Sequence, residues 1–180
     1  MKDFIILALL FLVFIPILAF YHTEISAENY SQQISTVSLT ILPVANLGIV
    51  NPDVSETISQ GAAAAEKFTS GGVEMASNSP TLIVNTNQKW ILTVKTSGFT
   101  GPNQKNADDL LLRDSASQHV EKGFNEYTKL TTKDQEIASY TSGVREENHP
   151  MQYKVLLDWE KDLPGTYTSI VTYTLATTGA

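Results

Sequence analysis

The chemistry open to this chain is limited by its reactive residues. It has three histidines, no cysteine and nineteen acidic residues. The missing cysteines exclude disulfides and thiolate metal sites. His22 lies in the N-terminal segment, which leaves His119 and His149 for the rest of the chain. Neither stands near an acid and a serine in a nucleophile pattern such as G-x-S-x-G. No further ligand at short spacing completes a zinc site. Both histidines are expected to be solvated loop residues.

Carboxylates are plentiful but scattered. Asp108, Asp109 and Asp114, and Asn51 with Asp53, fall in turn-rich stretches where oxygen ligands could meet calcium. No D-x-D-x-D-G loop accompanies them, so solvated turn acids are the expected state. Glu146-Glu147 reads as wet surface in the same way. A glycosidase pair could be built from two acids distant in sequence, but no spacing selects two from the rest. Leu163-Pro164-Gly165-Thr166 resembles the start of a sortase motif. Tyr167 follows instead of Gly, and neither an apolar tail nor a basic terminus comes after, so it is read as a turn. Asn29-Tyr30-Ser31 fits a glycosylation sequon. These residues lead to no cofactor and no metal.

The aromatics are the other candidates. Trp90 and Trp159 both sit in alternating stretches beside aliphatic residues. That pattern favours core packing, as in sandwiches that bury an indole. An exposed aromatic strip for sugars is the alternative.

The elements that must position these residues begin with a leader. Lys2 precedes a wholly apolar run, Phe4 to Phe20, and a polar stretch ends in Ile25-Ser26-Ala27. This is the order of a secretory signal. Its 17 residues also reach the lower limit of a membrane-spanning helix, and Pro16 suits either state. Residues 1–27 are therefore expected to be a signal cut after Ala27 or an apolar N-terminal helix kept as an anchor. Residues 28–180 are expected to form one domain outside the cytoplasm. Without Lys2, Asp3 and Glu24, 11 basic residues (12 − 1) face 17 acidic ones (19 − 2), a net charge of −6. An acidic domain does not attract nucleic acid or anionic lipid. Membrane contact is thus expected only through the N-terminal segment.

Within the domain, period two dominates. Ser35–Leu42 alternates strictly, with Val37, Leu39 and Ile41 on one face. Ala45–Val50 is a short apolar run closed by Asn51-Pro52-Asp53. Gln60–Lys67 could be a short helix or a strand of small residues. Val73–Ala76 and Thr81–Val84 read as strands, and Trp90–Lys95 as the central one. Residues 115–150 suggest two short strands among long loops. Tyr153, Val155, Leu157 and Trp159 alternate again, then Tyr167 to Leu175. The last two strands are expected to pair as a hairpin through Asp162–Gly165. Short strands, Gly/Pro/Asn turns and little helical period predict an all-β antiparallel sandwich of Ig-like or Greek-key type.

Two stretches carry a family resemblance. Lys89–Phe99, with Trp90-Ile91-Leu92, resembles the first W-x-L motif of the WxL surface domains of Gram-positive bacteria. Gly165–Leu175 resembles the closing strand of those domains, with Tyr173-Thr174-Leu175 standing where the second W-x-L falls. The same G-T-Y-T ending is similar to secreted pilus- and coat-type subunits. The first resemblance implies noncovalent attachment to a cell-wall polymer such as peptidoglycan, or to other surface proteins. The second implies self-assembly, through strand exchange between neighbours. Trp90, Leu92, Trp159, Tyr173 and Leu175 are the residues expected to matter under either. The leading expectation is a non-enzymatic cell-surface protein; a fibre subunit is the alternative, and a secreted hydrolase the least favoured.

Overall fold

The computed structural model describes residues 35–75, 79–115, 119 and 124–177. The expected signal or anchor lies outside these residues. The chain divides into two compact units, Met1–Thr40 and Ile41–Ala180. The described part of the first unit, residues 35–40, is irregular and exposed.

The second unit is an antiparallel β-sandwich. Its elements are β1 (Ala45–Val50), α1 (Ala62–Thr69), β2 (Val73–Met75), β3 (Thr81–Thr86), β4 (Trp90–Thr100), β5 (Leu110–Asp114), β6 (Thr128–Lys129), β7 (Gln135–Tyr140), β8 (Val144–Val155) and β9 (Thr168–Thr177). One sheet has the order β1-β3-β8-β5-β6, with β2 also on β8; the other is β7-β4-β9. Alternation explains which side chains meet. Leu82, Val84 and Thr86 of β3, Leu110 and Leu112 of β5, and Met151 and Tyr153 of β8 project from the first sheet into the core. Trp90, Leu92 and Val94 of β4 and Ile137 and Ala138 of β7 fill it from the second. Each such apolar side chain contributes about 1.5–3 kcal/mol when fully buried.

Four sequence expectations need correction. Ser35–Leu42 forms no strand among the described residues, and Val37, Leu39, Ile41 and Leu42 are all exposed. The final two strands are not a hairpin: β8 pairs with β2, β3 and β5, whereas β9 pairs with β4 in the other sheet. The chain crosses between sheets at residues 156–167 instead. Lys105 holds that crossing, its Nζ donating to both Asp162 carboxylate oxygens at 2.9 and 2.7 Å. β8 also stops at Val155, so the alternation through Leu157 and Trp159 does not continue as strand. Lastly, residues 135–150 are more ordered than their charge suggested. β7 and the first half of β8 lie there, because a two-faced strand tolerates charges on its solvent side.

The small-residue run resolves as helix, with Ala64 and Ala65 amides donating to the Gly61 carbonyl. Its C-terminus turns at Ser70-Gly71-Gly72. Gly72 has φ +156, and a Cβ there would stand 2.7 Å from the Val155 carbonyl oxygen, so a larger residue would push β2 from β8.

Candidate functional site

The motif residues do not share one environment. Trp90 and Leu92 are completely buried. Across the β4–β9 ladder, Leu175 stands opposite Leu92, and Tyr173 opposite Val94. The two W-x-L-like stretches are therefore neighbours in one sheet. Tyr173 and Leu175 are only half-buried, because β9 is the edge strand. Trp159 is elsewhere and 62% exposed, stacked on Phe68 of α1 with ring centroids 4.6 Å apart. The expectation that Trp159 packs in the core is corrected. The strand ends four residues before it, so alternation no longer governs its direction.

The histidines overturn the solvated-loop expectation. His149 has no exposed surface, and its Nδ1 lies 2.6 Å from Asp114 Oδ2. Strand parity places both: Asp114 follows Leu110 and Leu112 inward on β5, and His149 precedes Met151 and Tyr153 inward on β8. Trp90 covers the pair edge-on, 5.8 Å from the imidazole. Glu147 Oε1 is 3.5 Å from His149 Nε2 and 2.7 Å from His119 Nδ1. His119 stacks at 3.9 Å on Tyr140. Asp114 and Glu147 are thus packed and paired, not wet. Extending the Tyr153 alternation backwards would have placed His149 inside. Trp90 Nε1 and His149 Nε2 find no hydrogen-bond partner among the described residues.

The acids considered for calcium are dispersed. Asp108 faces Lys129 at 3.4 Å, Asp109 faces Lys105 at 3.7 Å, and Asp114 belongs to His149. No group of three metal-ligating side chains occurs among the described residues. A depression on the six-stranded sheet is lined by Asn46, Gly48, Ile83, Asn85, Glu146 and Asn148, with one carboxylate among them. A second polar pair joins the sheets: Tyr153 and Tyr173 hydroxyls meet at 2.6 Å. Burial raises the Tyr153 pKa to about 12, and burial first, then Tyr153, raises that of Tyr173.

What remains is an unused apolar pattern. Residues 35–42 contain no charge and no proline, and Val37 is 90% and Leu39 83% exposed. The base of this arm is fixed. Asn87 in the β3–β4 turn accepts from the Val44 amide at 2.8 Å and donates through Nδ2 to the Leu42 carbonyl at 2.9 Å. Beyond Leu42 no backbone hydrogen bond joins residues 35–41 to another described residue. β9 is the complementary feature. It is ten residues long, uncharged, and paired on one side only. Among the described residues, no backbone hydrogen bond from another element reaches its far side. Natural edges are usually blunted by charge, proline or brevity. The edges at β6, two residues long, and β7, which carries Glu136 and a register shift opposite Leu92/Thr93, are blunted so.

No family model matches the chain, and no curated protein is similar to it at a significant level. Among solved structures, it is similar to a chain in a structure of a chaperone-usher pilus, one addressing the molecular basis of rod uncoiling. That match has 11% identity and a TM-score of 0.39, and covers 82% of this chain and 96% of the other. The likeness is distant, and what this chain does has to be read from its own residues.

Proposed function

We propose that this chain is a non-enzymatic, exported structural protein that assembles with copies of itself into an extracellular fibre or coat. The observation that carries this reading is the arm at residues 35–42, a strand pattern that joins no sheet among the described residues. Its three alternating apolar side chains, Val37, Leu39 and Ile41, remain in water, and each leaves about 1.5–3 kcal/mol of burial unrealised. A pattern of that kind is useful where a neighbour supplies the missing surface. The export-signal pattern puts the protein where such assemblies form, and the absence of cysteine leaves packing and backbone pairing as the means of cohesion. Electron microscopy of the secreted protein, purified from culture fluid and from shed surface material, tests the reading. Regular fibres or sheets are expected; discrete single particles at high concentration would refute it.

A second reading keeps the WxL-like resemblance. Attachment to the cell wall could use Trp159, whose exposed ring packs on Phe68, since Trp90 and Leu92 are spent on the core. Co-sedimentation with isolated cell walls, compared with a Trp159→Ala variant, separates it from self-assembly.

A further inference from the structure

Taking the self-assembly reading as its basis, we infer that the unpaired edge of β9, which β1 approaches without pairing to it, is the acceptor, and that residues 35–42 of a second copy pair with it as an added strand. Among the described residues five strands have only one neighbour, β1, β2, β6, β7 and β9, and β2 has only three residues. β6 is too short to hold an eight-residue arm, and Glu136 and the register shift interrupt β7. β1 has six residues, and only Leu47 of its apolar side chains packs on the core. It also joins the arm through Pro43-Val44. β9 offers ten residues without charge, proline or a glycine.

Side-chain parity then fits. Val171, Tyr173 and Leu175 form an apolar row at spacing two, each half-buried and packed against the core cluster. Val37, Leu39 and Ile41 form an equal row at the same spacing. A strand added to β9 extends its backbone ladder at about 4.8 Å. It sets the arm's apolar row beside the β9 row, where directly opposed side chains interact. On the outer face Thr36, Ser38 and Thr40 would meet the hydroxyl row of Thr172 and Thr174, both exposed. The second W-x-L-like stretch thereby becomes the receiving strand. Backbone bonds supply cohesion, and the alternate side chains supply register, the usual division in strand addition.

A second copy is the occupant because the chain carries its own matching segment. The native protein has no cysteine, so crosslinks report cleanly. Full-length chains carrying Ser38→Cys are mixed with chains carrying Thr172→Cys or Thr174→Cys and oxidised mildly. Asn46→Cys on β1 and Glu136→Cys on β7 serve as control acceptors. A mixed disulfide dimer with the β9 variants, at least tenfold above the β1 and β7 controls, is the expected result. A chain carrying both Ser38→Cys and Thr172→Cys should give a ladder of multimers. A closed monomer from that double variant, or crosslinks favouring β1 or β7, would overturn the assignment. Oligomers without arm-to-β9 crosslinks would overturn the acceptor and leave self-assembly standing; absence of oligomers would remove both. Thr172→Lys with Thr174→Lys provides a second readout. It should shift the concentration for half-assembly at least tenfold upward with an unchanged melting midpoint, and unchanged assembly would contradict the proposal.

Discussion

Residues 35–42 and 90–96 carry the same alternation and meet opposite ends. In β4, Trp90, Leu92 and Val94 have no exposed surface, and strands pair on both sides. In the arm, Val37, Leu39 and Ile41 are 90%, 83% and 74% exposed. The apolar rows alone do not explain the contrast, since both stretches set an apolar side chain at every second position. Neighbours do. β4 lies between β7 and β9 and faces a second sheet, whereas residues 35–42 have no ladder among the described residues. Alternation therefore specifies a strand and its two faces, but not which chain provides the partner. β9 stands between these cases, paired once and half-buried.

The comparison yields graded expectations. The largest concerns the paired stretch. Leu92→Ala should cost about 2–5 kcal/mol in denaturant unfolding, because a closed core cannot fill the cavity. Leu39→Ala in the arm should change the monomer's stability by no more than about 0.5 kcal/mol. Equal losses would mean that the arm is already packed in the monomer.

The next concerns the polar end of the core under Trp90. Asp114→Ala leaves His149 Nδ1 buried without its 2.6 Å partner. A loss of about 1–3 kcal/mol is expected, measured by the same unfolding curves. A neutral outcome would show that Asp114 does not hold the imidazole.

The Tyr153–Tyr173 contact links β8 to the edge strand β9, and it sets an alkaline limit. Burial raises the Tyr153 pKa from 10.0 to about 12 and raises that of Tyr173. A folded pKa above the unfolded one gives stability that is full below pH 10 and lost as pH rises through the folded value. Unfolding should thus begin above about pH 10, together with phenolate absorbance, and Tyr173→Phe should remove part of the dependence. A melting midpoint flat to pH 12 would contradict the pairing.

The smallest effect is at the surface. Trp159→Ala removes the stack on Phe68 and should cost about 0.5–1.5 kcal/mol. Thermal melts can resolve it. A larger loss would place Trp159 in the core, as its sequence context first suggested.

Legibility in the sequence followed the same divide. The sandwich class, β4 as a central strand and the inward row of β9 were readable, because period two with β-branched residues reports faces directly. The sheet assignment of β8 and β9 was not. Pro164-Gly165 signals a turn but cannot show that Lys105 and Asp162 hold a crossing between sheets. The His149–Asp114 pair was hidden by the charge of residues 144–148, which masks a strand whose inward positions begin at His149. Trp159 misled because alternation persists in the sequence four residues beyond the strand. The alternation of residues 35–42 was legible, but they form no strand among the described residues, because alternation marks two faces without supplying a pairing partner.

Sedimentation velocity over a micromolar-to-millimolar concentration series tests the central claim most directly, comparing the chain with a Val37→Asp, Leu39→Asp, Ile41→Asp variant. The account predicts concentration-dependent growth for the unaltered chain and a single monomeric boundary for the variant, with equal melting midpoints. Monomers alone for the unaltered chain, or equal growth in both, would contradict it.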